Sequence, residues 1–129
     1  MGQPAAKQDD QILATDTHIV VVPGVGPQTV TDPFAGPIKG GLSGDVKIMG
    51  KPAAVVGSTA DNTPPHLPKP PATKFQKDPS NKGTIQSGSQ TVKINGKPAA
   101  RDGDPAVTCN DPVDLAVGKV KAAGTVLIG

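Results

Sequence analysis

The sequence lacks most of the residues that ordinarily build a hydrophobic core. It has no tryptophan and no tyrosine, its only aromatic residues are Phe34 and Phe75, and apolar residues make up 35% of its 129 residues. With 16 glycines and 15 prolines, about a quarter of the chain, it approaches the composition of disordered proteins. A chain of this length is one domain, and a small domain with little core commonly depends on disulfides, a metal or a partner.

Other absences exclude whole classes of protein. Cys109 is the single cysteine, so no internal disulfide can form. The net charge is +2 with acids and bases interspersed, which argues against a nucleic-acid partner. Residues 1–11 are polar and lack the pattern of a signal peptide, and no apolar run approaches the roughly 18 residues of a membrane helix. We therefore expect synthesis in the cytoplasm, with any action outside the cell depending on another machine.

A repeated segment is the clearest feature of the chain. Residues 46–54 (VKIMGKPAA) and residues 92–100 (VKINGKPAA) agree at eight of nine positions, at an offset of 46. The alternation of apolar residues with lysine predicts a strand with one buried face. The following Asn95-Gly96, or Met49-Gly50, favours a hairpin turn, and the proline belongs on an edge strand or at a bulge. Each copy therefore predicts one short hairpin followed by a turn.

The remainder of the chain predicts further strands and long loops. Strands are expected at residues 18–22 and 124–128, whereas residues 113–123 are disfavoured as a helix by their glycine and valines. The proline-rich residues 63–79 contain a P-x-x-P pattern, which we interpret as a stiff loop rather than an SH3 ligand, because chance matches are expected in so proline-rich a chain. The sequence thus predicts one all-β domain over residues 1–129, with short hairpins and long Gly/Pro-rich loops.

Three side chains could carry metal or nucleophile chemistry. His18 opens a predicted strand, His66 follows the first repeat, and Cys109 follows the second. Two imidazoles and a thiolate suit Zn²⁺, and the same atoms could form a cysteine nucleophile with a histidine base. The acidic residues after Arg101 are attributed to turn chemistry, and Arg101 itself is interpreted as a structural or surface residue. The residues alone leave open a metal site, a small Cys/His enzyme, and a Gly/Pro-rich disordered secreted binding module.

The second repeat continues into Pro98-Ala99-Ala100-Arg101, and on this basis the sequence resembles the PAAR-repeat proteins. The resemblance extends from about Thr15 to Gly129 and rests on further short signatures, which are Asp16-Thr17-His18, Gly41-Leu42-Ser43, Thr63-Pro64-Pro65-His66 and Thr108-Cys109-Asn110-Asp111. The similarity is greatest to the variety found in extracellular contractile injection systems of the antifeeding-prophage kind. Type VI secretion tips are the wider relatives.

The resemblance implies a small conical fold in which hairpins are arranged with pseudo-threefold symmetry. One copy would cap one trimeric spike protein of the valine-glycine-repeat type. We expect the third arm to come from the terminal strands and to have diverged beyond recognition. Residues 1–14 are expected to be flexible or associated with the base, and Val126, Leu127 and Ile128 are candidates for the base itself. No toxin domain is expected after Gly129, so effector cargo would travel on another component.

The resemblance also implies a structural zinc ion near the tip. Zinc sites of the family typically use three histidines and one cysteine, and His18, His66 and Cys109 match three of those positions. Asp32 stands where the remaining histidine would be. A carboxylate can bind zinc at about 2.0–2.2 Å, so the predicted ligands are His18, His66, Cys109 and Asp32.

These observations favour a structural, non-enzymatic function. The protein is expected to sharpen the central spike of a phage-tail-like injection particle, to contact the target membrane transiently and to help deliver cargo. The particle would carry it out of the cell. The enzyme and the disordered binding module remain the alternatives.

Overall fold

The computed structural model describes residues 2–129, which form strands, turns and loops without a helix. Among these residues, accordingly, no helix is long and apolar enough to cross a membrane. The strands are β1 (Gln3–Pro4), β2 (Gln11–Val22), β3 (Gly26–Gly40), β4 (Lys47–Ile48), β5 (Lys51–Pro52), β6 (Thr59–Asp61), β7 (Lys74–Phe75), β8 (Lys82–Ile85), β9 (Lys93–Ile94), β10 (Lys97–Pro98), β11 (Pro105–Thr108), β12 (Leu115–Lys121) and β13 (Leu127–Ile128). The predicted all-β class is confirmed.

The centre of the fold is a six-stranded antiparallel sheet that closes on itself. β2 and β3 form a long hairpin that is paired from Gln11↔Pro37 to Val22↔Gly26. From β3 the sheet continues through β6, β8, β11 and β12, and β12 pairs back onto β2. β7 is added at the far end of β2. Closure leaves few unpaired strand edges, and it stabilises a chain that has little apolar mass.

The two repeated segments form the hairpins that the sequence predicts. β4 pairs with β5, and β9 pairs with β10, each in antiparallel register. The turn residues have positive φ throughout, with 52° at Met49, 83° at Gly50, 53° at Asn95 and 79° at Gly96. A two-residue turn of this kind matches the right-handed twist of the flanking strands, which explains why Gly is retained in both copies.

The third arm is made by the two ends of the chain, as expected. β1 pairs antiparallel with β13, with Gln3 opposite Ile128. The expectation that this arm has diverged beyond recognition is wrong, because Pro4-Ala5-Ala6-Lys7 aligns in structure with Pro98-Ala99-Ala100-Arg101. The third copy is split between the ends of the chain, so no contiguous segment displays it.

The amino-terminal segment contributes to the core. Ala5 and Ala6 are buried, and so is Ile12 at the start of β2. The prediction for residues 1–14 includes Met1, which lies outside the described residues. The flexibility of this segment stays a prediction.

The two alanines of each Pro-Ala-Ala unit pack into different clusters. The first alanines pack among the three hairpins with three isoleucines, the set being Ala5, Ala53, Ala99, Ile48, Ile94 and Ile128. The second alanines pack inside the closed sheet with Phe34, Ile12 and their neighbours, and they are Ala6, Ala54 and Ala100. None of these six alanines is more than 2% exposed. The Ala-Ala pair therefore joins the hairpin cluster to the sheet core.

A ring of backbone hydrogen bonds links the three second alanines. Ala6 N donates to Ala100 O at 2.9 Å, Ala100 N donates to Ala54 O at 3.1 Å, and Ala54 N donates to Ala6 O at 3.0 Å. Each arm therefore donates to one neighbour and accepts from the other. The ring defines the pseudo-threefold axis that the resemblance implies.

Enlarging a second alanine should strain this ring. We expect Ala6→Leu to lower the free energy of unfolding by about 1–3 kcal/mol, because overpacking a closed core forces side chains and backbone to shift. Ala100→Leu should cost a similar amount, since the two positions are related by the pseudo-symmetry. Denaturant unfolding measures both effects. Ala123→Leu, at an exposed position, is the matched control, and a loss at Ala6 no larger than at Ala123 would contradict the structural equivalence.

Candidate metal centre

Four buried side chains from three parts of the chain converge on one point. Asp16 and His18 lie two residues apart on β2, so the alternation of a strand points both to the same face. His66 lies in the loop after β6, and Cys109 directly follows β11. The ligand atoms of Asp16, His18, His66 and Cys109 all lie within 4.8 Å of one another.

The separations suit a tetrahedral metal ion. His66 Nε2 is 2.9 Å from Asp16 Oδ2, Cys109 Sγ is 3.4 Å from the same oxygen, and Cys109 Sγ is 3.8 Å from His18 Nε2. Zinc–ligand bonds of about 2.0–2.3 Å in a tetrahedron place ligand atoms roughly 3.3–3.8 Å apart. The four atoms therefore need only small shifts to hold such an ion.

Polar groups outside the cluster lie beside three of the four side chains. Thr108 Oγ1 donates to Asp16 Oδ1 at 2.5 Å, which leaves Oδ2 directed at the other three residues. Asn62 Nδ2 is 3.2 Å from His66 Nδ1. On the far side of the other imidazole, Asp111 Oδ2 lies 3.7 Å from His18 Nδ1. At this separation His18 Nδ1 makes no hydrogen bond within residues 2–129, but a small shift would give it the carboxylate partner that commonly supports a metal-binding histidine.

Aromatic rings surround the imidazoles. The ring centroids of His18 and His66 are 4.9 Å apart, and Phe75 approaches His18 edge-on at 5.6 Å. Phe34 lies 6.3 Å from His66. Both phenylalanines of the chain are thus placed beside the cluster, where they exclude water and strengthen the electrostatic interactions within it.

The surroundings of the Cys109 thiol disfavour nucleophilic attack and favour a bound cation. Burial, followed by the charge of Asp16, raises the pKa of Cys109 to about 11. A thiol with a raised pKa is a weak nucleophile at neutral pH. A carboxylate and a thiol that face each other without solvent are most favourable when a cation lies between them, because the cation favours both anions.

The structure brings together three of the four ligands that the resemblance implies. His18, His66 and Cys109 belong to the cluster, whereas Asp32 does not, and Asp16 supplies the fourth ligand atom. Asp32 is the cross-strand partner of Asp16 on β3, and its Oδ1 lies 3.5 Å from Lys69 Nζ. The sequence contained the signal for Asp16, because an aspartate two residues before a histidine on a strand shares its face.

The donor set fits a divalent metal of the zinc type. Two imidazoles, one thiol and one carboxylate match the ligands that Zn²⁺ accepts, and they are four in number as in closed structural sites. Each ligand also has an orienting neighbour or an apolar wall. Asp16, His18, His66 and Cys109 are therefore the residues that would hold the ion.

Comparison with known families agrees with the geometry. Residues 75–129 match the family model of the PAAR motif. This segment includes the hairpin of β9 and β10, the strand β13 and Cys109. This match supports a PAAR-repeat protein. No curated protein matches it. The PAAR family is a structural spike-tip family of contractile injection systems and type VI-like systems.

The arginine of the PAAR motif has a structural role in this protein. Arg101 Nη2 contacts Asp104 Oδ1 at 2.8 Å, and the backbone N–H of Arg101 donates to Asp104 Oδ2 at 2.7 Å. Lys7 and Asp10 form the same arrangement in the split third copy, at 3.1 Å. These ion pairs close the turns that follow two of the three hairpins, in agreement with the interpretation of Arg101 as a structural or surface residue.

The hydrogen bond from Thr108 to Asp16 should matter for stability. Replacing the hydroxyl by a methyl in Thr108→Val leaves a buried carboxylate oxygen without its donor, and we expect a loss of about 1.5–3 kcal/mol in the free energy of unfolding. Thermal or denaturant unfolding measures the loss. Thr15→Val, at an exposed position of β2, should change stability by about 0.5 kcal/mol or less. Equal effects of the two substitutions would contradict the role of Thr108.

Proposed function

We propose that this PAAR-repeat protein is the tip of a contractile injection spike, with one copy capping one trimeric spike protein. The ring of three hairpins carries the proposal. A single chain that faces the end of a threefold partner can make three similar contacts only if it carries three similar surfaces. The third surface, built from both ends of the chain, completes this requirement.

Exposed valines at equivalent positions of the arms favour the hairpin end as the docking face. Val46 and Val92 are each 37% exposed and Val126 is 41% exposed, and Leu127 beside it is 59% exposed. Ile128, another candidate for the base, is 7% exposed and packs inside the hairpin cluster. Burial of the valines and Leu127 against a spike would contribute apolar area, at roughly 25 cal/mol per Å².

The metal centre lies away from the hairpins. Gln11 begins β2 next to the turn that follows the third arm, and His18 lies seven residues further along the strand, about 23 Å at the rise of a strand. The closed-sheet core separates the two. In the proposed orientation the hairpins contact the spike, and the metal holds together the loops at the free end that meets the target membrane.

We propose zinc as the bound metal and the extracellular contractile injection type as the system. The thiol and the imidazoles favour zinc over calcium or magnesium, which prefer oxygen ligands. Synthesis in the cytoplasm, followed by export as part of the particle, belongs to the same proposal.

The metal proposal predicts a difference between two neighbouring aspartates. We expect Asp16→Asn to weaken zinc binding at least about tenfold, because it removes the charge of a ligand that the other three residues surround. Asp32→Asn, the matched control on the facing strand, should leave the zinc affinity within about threefold of the wild type. Competition with a chromogenic chelator measures both affinities. A larger loss in Asp32→Asn than in Asp16→Asn would favour the ligand set implied by the family resemblance over the one proposed here.

The docking proposal predicts a stoichiometry and a set of sensitive positions. The protein and its cognate spike should form a complex of one copy per trimer by mass photometry or native mass spectrometry. Val92→Asp should weaken the complex, since it places a charge in an apolar contact. Val113→Asp is the control, at a valine that is 59% exposed outside the hairpins. Three copies per trimer, or a stable free homotrimer, would contradict the proposal.

A further inference from the structure

Each of the three arms presents one exposed hydrogen-bond donor opposite the buried isoleucine of its hairpin. The cross-strand partner of this isoleucine is Lys51 in the first hairpin, Lys97 in the second and Gln3 in the arm built from the chain ends. All three side chains are exposed, whereas the isoleucines are at most 7% exposed. The pseudo-threefold arrangement therefore carries three equivalent donors, of which two are cations and one is a neutral amide.

These donors share a face of the arms with the exposed valines of the proposed docking face. Cross-strand partners lie on the same face of a hairpin, so Lys97 shares the face of Ile94. Val92 lies two residues before Ile94 and, by the alternation of a strand, points to that face as well. The same offsets hold in the other two arms. A partner that covers the valines therefore also meets the three donors.

The charges of the two lysines are available to a partner. Lys97 forms no ion pair within residues 2–129. Lys51 Nζ lies 3.7 Å from Asp9 Oδ2, and the two side chains are 48% and 46% exposed. An ion pair with this much exposure contributes little to stability. Lys51 can therefore exchange Asp9 for a carboxylate of another protein.

We propose that each chain of the trimeric spike presents a carboxylate to one of these three donors. The inference rests on the proposed docking of the hairpins onto the spike, and it names the chemistry of the spike surface that they meet. Two of the three equivalent carboxylates pair with Lys51 and Lys97. The third accepts a hydrogen bond from the side-chain amide of Gln3.

The donor set favours an acidic protein surface over other partners. Three identical spike chains offer the same group to all three arms, and a carboxylate is the protein acceptor that suits both the ammonium groups and the amide. A backbone carbonyl would leave the two cations without a counter-charge. A nucleic acid would use the lysines but would leave the valines without an apolar contact. Complementary charges around an apolar contact also raise the association rate and fix the register of docking.

The test is the salt dependence of binding to the cognate trimeric spike, measured by biolayer interferometry. Lys97→Met keeps most of the aliphatic stem and removes the charge. We expect about three- to fivefold weaker binding at about 50 mM NaCl, as for a partly exposed ion pair, and a difference below about twofold at about 500 mM, where screening is strong. Lys74→Met, on β7 at the far end of β2, changes the net charge equally and should leave the affinity within about 1.5-fold of the wild type.

Gln3→Lys supplies the third cation and carries the opposite expectation. It should tighten binding about three- to fivefold at low salt and steepen the salt dependence, because the third carboxylate gains a charged partner. The proposal is overturned if Lys97→Met binds as the wild type does or if Gln3→Lys leaves the salt dependence unchanged. The spike-tip function stands in either case, provided that the complex of one copy per trimer still forms. Failure of the wild-type protein to form that complex would overturn both.

Discussion

The ring of hydrogen bonds among Ala6, Ala54 and Ala100 is the constraint on which the rest of the structure depends. It brings three backbone segments within one hydrogen bond of each other, and the alanine methyl groups pack in two buried rows on either side. Glycine would leave both clusters short of contacts and would add flexibility to the unfolded chain. A larger side chain at these buried positions would force its neighbours to shift. The repeated Pro-Ala-Ala therefore follows from the close approach of three chains to one axis, and no aromatic core is needed to fix their positions.

The closed sheet and the metal centre compensate for the same shortage of apolar residues. The closed sheet satisfies backbone groups, and its interior contains the few large side chains, with Phe34, Ile12, Ile38 and Ile85 almost fully buried. The loops outside the closed sheet contain too few apolar side chains to form a core of their own. Asp16 and His18 on β2 converge with His66 and Cys109 from the loops. A metal ion held by these four side chains would supply the missing cross-link, since binding a structural metal contributes directly to the free energy of folding.

The sequence contained the hairpins, the class of fold and three of the cluster residues, because each depends on a local pattern. Asn95-Gly96 determines its own turn, and His18, His66 and Cys109 are the rare residues that suit a soft metal. The split third arm and the choice between Asp16 and Asp32 depend on long-range geometry. Pro4 and Ile128 lie at opposite ends of the chain yet belong to one arm, and the two aspartates are partners across β2 and β3. Only the register and the surroundings of that pair decide which carboxylate turns towards Cys109.

The departures from threefold symmetry are as informative as the symmetry. Arg101–Asp104 and Lys7–Asp10 close two of the turns by ion pairs, whereas the third turn uses Val55 and the hydroxyl of Ser58, which accepts from the Val55 N–H at 3.0 Å. The backbone geometry is conserved among the arms while the side-chain chemistry differs. In the proposed complex with a trimeric spike, the protein would need equivalent backbone positions at its base, where it would meet three copies of one surface. Beyond the ring, each arm continues into a different part of a single chain, and there the side chains are free to form one asymmetric metal centre.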